Sequence, residues 1–157
     1  MTATTPPITV PGDKSIAHRV LLLAALAQGA SRLRNVPAGL DVRSTQRALR
    51  ALGVAIEQDV DTIVVTGSGG ALVAPGAPID CGNSGTTIRL LAGVLATRAL
   101  TVTLDGDASL RARPMRRIAQ PLEAFGAQIA LTPYGTAPFT VRGNGDARGA
   151  DVRIVVP

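Results

Sequence analysis

The amino-acid sequence predicts an α/β fold made of repeated β-α-β-α-β-β units, with two units present and a third cut off. The apolar content is 46% but aromatic residues make up only 2%, so the core must consist of small aliphatic side chains packed between strands and helices. A short strand, a glycine turn and an apolar helix also occur twice, roughly seventy residues apart. Such a period indicates a repeated structural unit.

The first unit spans about residues 8–68. A strand opens it near Ile8 and runs into the turn at Gly12, and an apolar helix follows. A second, amphipathic helix ends at Gly53, a residue that favours the left-handed conformation with which many helices stop. We expect helix at 15–27 and strands at 31–36, 54–58 and 62–66.

The second unit, about 78–145, repeats this order from Ile79 onward. A polar loop leads to an amphipathic helix that ends at Gly126. We expect helix at 84–97 and strands at 100–104, 128–132 and 139–142. Residues 150–157 would begin a third unit, in which 152–157 resemble the opening strand, so we expect the chain to be a piece of a longer protein.

The composition excludes several classes of protein and favours one kind of ligand. No apolar run reaches the roughly 18 residues of a membrane span, and the first residues lack the features of a signal peptide, so a cytoplasmic location without a membrane partner is expected. The single cysteine excludes an internal disulfide, and no metal-ligand spacing is present. The net charge of +5 comes mainly from dispersed arginines without interleaved aromatics, which favours small anions over nucleic acid.

The turn at residues 11–15 is the first candidate anion site, because it precedes a helix whose free N–H groups and dipole attract negative charge. Lys14 and Ser15 lie at the helix start, and Arg19 follows one turn later on the same face. Under the alternative interpretation, Asp13 or Ser15 is an ordinary N-cap and the cations are solvated.

The turn at residues 82–86 repeats the design with small residues that allow close backbone approach, followed by Arg89 one turn into the helix. No Gly-Lys-Ser/Thr sequence follows, so it is not a Walker A loop. In a third segment we expect Pro114 in a first helical turn and Arg113 at its mouth. Three further arginines are expected on a solvated face: Arg111, Arg116 and Arg117.

We expect His18 and Cys81 to contribute to packing and not to the chemistry of a site. His18 is the only histidine, and no nucleophile accompanies it, so we treat it as structural. Cys81 occupies the position of Pro11 in the first turn, which indicates packing rather than a reactive thiol.

Three segments together resemble the EPSP synthase family of enolpyruvyl transferases in order and spacing, across nearly the whole chain. They are Pro-Gly-Asp-Lys-Ser-Ile-Ala-His-Arg, Gly-Asn-Ser-Gly-Thr-Thr-Ile-Arg and Leu-Arg-Ala-Arg-Pro-Met. The resemblance implies the EPT/RTPC-like fold, with two domains of three units each and an active site in the cleft between them. Residues 1–157 would be the N-terminal portion, with most of the second domain absent.

The resemblance also implies a transferase activity that needs no metal or organic cofactor. The enolpyruvyl group of phosphoenolpyruvate would move to the 5-hydroxyl of shikimate 3-phosphate by addition and elimination, with release of phosphate. The full-length enzyme would be a monomer. Lys14 would be catalytic and touch both substrates, while Ser15 and Arg19 would hold shikimate 3-phosphate. The remaining implied contacts, to phosphoenolpyruvate or its pocket, are Gly85, Arg113, Asn83 and Arg89.

Two departures from the family pattern occur: Ala17 replaces a residue that often carries a hydroxyl, and Leu90 replaces a frequent proline. One alternative is UDP-N-acetylglucosamine 1-carboxyvinyltransferase, which shares the fold but usually carries a cysteine where this chain has Ala108. The other alternative is a non-catalytic protein that binds anions or nucleic acid. The proton-transfer carboxylates of the family are expected outside this chain.

Overall fold

Two small sheets and the helices between them form the part of the chain that a computed structural model describes, residues 10–153. The opening strand expected near Ile8 and most of the strand expected at 152–157 lie outside these residues. Val152 and Arg153 have no regular secondary structure. Within the described range, no helix is long and apolar enough to cross a membrane.

The first sheet has the strand order β1-β3-β2, with both pairings antiparallel. Its inner face alternates with its outer face as strand geometry requires, because Ile63 and Val65 are buried while Thr66 is exposed. The elements of this region are α1 (Lys14–Leu26), β1 (Gln28–Arg34), α2 (Leu40–Ala51), β2 (Ala55–Gln58) and β3 (Thr62–Ser68).

The second sheet has the order β4-β5-β7-β6. The pairing of β4 with β5 is parallel, with α3 as the crossover, and the other two pairings are antiparallel. Its elements are β4 (Ile79–Asp80), α3 (Gly85–Ala96), β5 (Thr101–Asp105), α4 (Ala108–Arg111), α5 (Arg116–Ala124), β6 (Gln128–Ala130) and β7 (Phe139–Arg142). The predicted α/β class and the β-α-β-α-β-β order are therefore confirmed for this sheet, with one added helix.

Three local predictions were wrong. The strand expected at 31–36 begins at Gln28, because it pairs over its whole length with β3, from Gln28 opposite Ser68 to Arg34 opposite Thr62. The loop before α5 contains the short helix α4, which Asp107 caps. Pro114 lies before α5, not in its first turn, because that helix begins only at Arg116.

The two second helices, α2 and α5, end in the same way. Gly53 and Gly126 adopt the left-handed conformation, with φ of 86° and 97°. In each case the next residue donates its N–H to the carbonyl five positions earlier, Val54 to Leu49 at 3.1 Å and Ala127 to Leu122 at 3.1 Å. This is the Schellman pattern, and it confirms both predicted helix stops.

One hydrophobic core runs under both sheets, because α1, α2 and α3 contact one another as well as their strands. It consists mainly of aliphatic side chains, as the composition predicts, with Phe139 as the largest fully buried one. The first turns of the three helices are joined by contacts between α1 and α2 and between α2 and α3. This brings the two glycine turns of the sequence together.

Gly67 and Gly143 occupy matching places near the ends of β3 and β7. A β-carbon on Gly67 would collide with the backbone carbonyls of Ala24 and Ala27 at the end of α1. A β-carbon on Gly143 would collide with those of Leu95 and Arg98 at the end of α3. In both sheets the carboxyl end of a helix, α1 or α3, therefore contacts the sheet backbone at a position where glycine leaves no side chain between them.

Candidate active site

The N-terminal turn of α1 carries the first predicted anion site. Asp13 caps the helix by accepting the N–H of Ile16 at 2.7 Å, so of the two N-cap candidates in the alternative interpretation Asp13 is the cap. Lys14 and Ser15 are exposed at the mouth. Arg19 bends back so that its Nη1 donates to the carbonyl of Ser15 at 2.9 Å. The expectation that Arg19 shares a face with Ser15 is confirmed.

Lys14 forms an ion pair with Asp41, a residue that local sequence signals do not assign to the site. Its Nζ lies 2.8 Å from Oδ2 of Asp41, in the first turn of α2. The backbone carbonyl of Asp41 accepts a hydrogen bond from Oγ1 of Thr87 at 3.2 Å. Asp41 therefore connects Lys14 to the N-terminal turn of α3.

The N-terminal turn of α3 carries the second predicted site. Ser84 caps this helix by accepting the N–H of Thr87 at 3.1 Å, and Gly85 behind it is buried. Two guanidinium groups converge on Gly85: a β-carbon there would lie 2.6 Å from Nη1 of Arg89 and 2.9 Å from Nη1 of Arg113. The absence of a side chain at Gly85 leaves room for both.

Arg113 reaches this turn from the segment between α4 and α5. Its Nη2 donates to Oδ1 of Asn83, whose own amide donates to Asp107 at 2.8 Å. The N–H of Leu110 and the amide of Asn83 lower the pKa of the Asp107 carboxyl. The predicted residues Asn83, Gly85, Arg89 and Arg113 thus form one cluster.

No salt bridge neutralises the guanidinium groups of this cluster within the described residues. Within residues 10–153, no carboxylate oxygen lies within 4 Å of the guanidinium nitrogens of Arg89, Arg113 or Arg19. Burial, and then the neighbouring charge of Arg113, lowers the pKa of Arg89. Two like charges at one helix N-terminus are stabilised when an anion lies between them.

A buried chain of polar side chains joins the two sites. Nδ1 of His18 lies 2.7 Å from Oγ1 of Thr45 in α2, and that oxygen lies 2.8 Å from Oγ1 of Thr87 in α3. Thr87 in turn lies 2.7 Å from Oγ of Ser84, the cap of α3. All four residues are at most 2% exposed.

Asp41 and Thr45 were not predicted as site residues, since they are distant in sequence from the residues they contact. Asp41 had one local signal, an acidic residue in a first helical turn. Two other residues are buried, as their structural interpretation predicts: His18 is fully buried, and burial raises the pKa of the Cys81 thiol to about 12. Arg111, Arg116 and Arg117 are exposed, as expected, with Arg111 paired to Asp105.

Comparison with known proteins gives a consistent result. The model of the family EPSP synthase (3-phosphoshikimate 1-carboxyvinyltransferase) matches residues 2–157. A 3-phosphoshikimate 1-carboxyvinyltransferase of Alkalilimnicola ehrlichii is 48% identical over 151 residues, which are 95% of this chain and 34% of that protein. One of Chloroflexus aurantiacus is 51% identical over 140 residues, which are 87% of this chain and 32% of that protein.

Solved structures agree with the sequence comparison. An EPSP synthase of Acinetobacter baumannii superimposes with a TM-score of 0.89 at 39% identity, covering 94% of this chain and 34% of that one. The chain spans about a third of the length of the relatives it matches.

Proposed function

Because the chain belongs to the EPSP synthase family, we propose that it is the N-terminal portion of an enzyme that transfers the enolpyruvyl group of phosphoenolpyruvate to shikimate 3-phosphate. The observation that carries this proposal is the convergence of Arg89 and Arg113 over Gly85, without a carboxylate partner among residues 10–153, beside the helix start that bears Lys14. Such an arrangement suits two anionic substrates held side by side.

The two helix starts divide the substrates between them. Ser15 and Arg19 bind shikimate 3-phosphate at α1, while Gly85 and Arg113 bind phosphoenolpyruvate at α3, with Asn83 and Arg89 shaping that pocket. Lys14 contacts both substrates and exchanges its ion pair with Asp41 for a substrate anion. Fixed cations and N–H donors are needed because both phosphates and both carboxylates must lose water together.

The reaction has an addition step and an elimination step. In the first, the 5-hydroxyl loses its proton and its oxygen bonds to C2 of phosphoenolpyruvate, while the C2–C3 double bond opens and C3 gains a proton. In the second, the C2–O bond to phosphate breaks, C3 loses a proton and the C2–C3 double bond re-forms, which leaves the enolpyruvyl ether and free phosphate. Lys14 and the two arginines stabilise the negative charge of the tetrahedral intermediate. Carboxylates in the part of the enzyme beyond this chain move the protons.

The sister enzyme that uses UDP-N-acetylglucosamine is the weaker candidate. Its usual reactive thiol would stand at Ala108, the first residue of α4, and the thiol of Cys81 is buried. A cytoplasmic location, the absence of a nucleic-acid partner and a monomeric complete enzyme remain predictions. We also propose the unit boundaries at 8–68, 78–145 and 150–157 and the absence of most of the second domain, since the chain spans about a third of the length of its relatives.

A hybrid enzyme tests the proposal. In this hybrid, the chain replaces the matching third of the Acinetobacter baumannii EPSP synthase. The superposition of the two covers 94% of this chain and 34% of the Acinetobacter enzyme. We expect phosphate release that requires both shikimate 3-phosphate and phosphoenolpyruvate. A folded hybrid that releases no phosphate, or one that accepts only UDP-N-acetylglucosamine, would contradict the proposal.

A further inference from the structure

The buried chain His18–Thr45–Thr87–Ser84 crosses three helices and ends at the cap of α3, next to Gly85. Hydroxyls buried to this degree cost stability unless they are paired, and packing α1 against α3 would need none of them. This series of hydrogen-bonded side chains begins at His18, between Lys14 and Arg19 on α1. The series therefore joins the two turns that carry the proposed substrate contacts.

The proton positions in this chain follow from counting donors. One arrangement satisfies every contact: Thr87 donates to the carbonyl of Asp41 or to Oγ of Ser84, Thr45 donates to Thr87, and Nδ1–H of His18 donates to Thr45. In the reverse direction Thr87 donates to Thr45 and Thr45 donates to Nδ1. The carbonyl of Asp41 then loses this donor, and the ring proton of His18 moves to Nε2, which has no hydrogen-bond partner among the described residues.

The other ring nitrogen supports a neutral imidazole. Nε2 of His18 is shielded from solvent, and no hydrogen-bond partner lies near it among the described residues. A charged ring would place an N–H there without an acceptor, at a cost that the neutral Nδ1–H form avoids. Lys14 and Arg19 on α1 also oppose a positive charge, while Asp41 on α2 favours it.

We propose that His18 is a positioning residue: as the neutral Nδ1–H tautomer it ties α1 to α3 through Thr45 and Thr87, and so sets the spacing of the two anion sites. This inference rests on the proposed function, because it takes the two helix starts as the two substrate sites. His18 touches neither substrate. Its effect appears only when both substrates must be held at a fixed separation.

The hybrid enzyme provides the kinetic test. Thr45→Val keeps the side-chain shape and removes the central hydroxyl, whereas both helix caps, Asp13 and Ser84, stay intact. We expect kcat to fall about tenfold, while the affinity for each substrate alone changes by less than about twofold. The matched control is Thr103→Val, which breaks the Thr103–Thr140 pair in the second sheet at 2.9 Å and should leave kcat unchanged.

Two substitutions of His18 separate positioning from simple packing. Asparagine places an amide N–H close to the position of Nδ1, so His18→Asn should retain kcat within about twofold. Glutamine places its amide near the position of Nε2, so His18→Gln should lower kcat as Thr45→Val does. Equal kcat values for the two His18 variants, or an unchanged kcat in Thr45→Val, would overturn the inference.

A spectroscopic measurement keeps the inference separate from the proposed function. Nitrogen-15 shifts of the imidazole in the 157-residue chain report the tautomer directly, and His18 is its only histidine. We expect the Nδ1–H form at neutral pH. If the hybrid is inactive, the proposed function fails, yet the tautomer still decides this inference: an Nε2–H or charged ring overturns it.

Discussion

Asp41 holds the ammonium group of Lys14 at 2.8 Å, and both side chains are partly exposed. An exposed pair of this kind contributes little to stability. Under the proposed function its consequence concerns binding, because Asp41 would keep the single lysine of the chain at the mouth of α1 until a substrate anion replaces the carboxylate.

Lys14→Ala in the hybrid enzyme should abolish turnover, because no neutral side chain can pair with the negative charge that both substrates bring to Lys14. Steady-state phosphate release measures the effect. Arg148→Ala is the control, since Arg148 is an exposed cation paired with Asp146 far along the chain. If Lys14→Ala kept activity within about tenfold, a barrier change of only about 1.4 kcal/mol, the proposed role of Lys14 would be wrong.

Gly85→Ala should weaken phosphoenolpyruvate binding more than shikimate 3-phosphate binding. The added methyl group would lie 2.6 Å from Arg89 Nη1 and 2.9 Å from Arg113 Nη1, so it must push both guanidinium groups away from the turn. Calorimetric titration with each substrate measures the two losses. Gly93→Ala is the control on the same helix, because nothing lies within 4 Å of a β-carbon at Gly93. Equal losses for both substrates would place the α3 turn elsewhere in the site.

The stability of the chain should decrease as the pH falls below about 6.5. Burial lowers the pKa of His18 in the folded chain, whereas the unfolded chain keeps the ordinary value of 6.5. The unfolded chain therefore binds more protons in this range, and the free energy of unfolding loses at most about 1.4 kcal/mol per pH unit. Urea unfolding of the dilute chain between pH 7 and pH 5 measures this slope. His18→Asn should lack it, and an equal slope in that variant would assign the effect to other groups.

The 157-residue chain alone should have no transferase activity and should self-associate. Its proton-transfer carboxylates are expected elsewhere, and Ile16 and Leu23, seven residues apart on one face of α1, are 61% and 66% exposed. Repeat architectures expose core when a neighbouring unit is missing. Light scattering measures association, which Leu23→Lys should reduce. Val60→Lys, in the turn between β2 and β3 and 90% exposed, is the control and should not reduce it.

Adding the remaining part of the enzyme as a separate chain should restore phosphate release. Turnover by the chain alone would place the acids among Asp13, Asp105 and Asp107.

Local signals were sufficient to predict much of this fold. Gly53 and Gly126 mark helix ends through their own backbone preference, and Asp13 caps α1 within its own turn. The positions of Arg19 and Arg89 one turn into their helices also follow from helix geometry alone. The cluster of Asn83, Gly85, Arg89 and Arg113 was predicted as a set from a resemblance, not from spacing.

Contacts between distant segments could not be predicted in the same way. Asp41 lies 27 residues from Lys14, and Thr45 lies 42 residues from Thr87. Neither partner follows from a local preference, because packing of three helices decides it. The start of β1 at Gln28 was missed for the same reason, since its first residues become a strand only through pairing with β3.

The matching glycines at 67 and 143 have a consequence for the gene. Each strand backbone there touches helix carbonyls, so even alanine would force a helix and a sheet apart. A saturation-mutagenesis library of the complete gene should therefore lose almost every replacement at both codons. Because the two sites face the same geometry, the tolerance profile measured at one codon should forecast that at the other, which extends the internal repeat from the fold to the pattern of permitted variation.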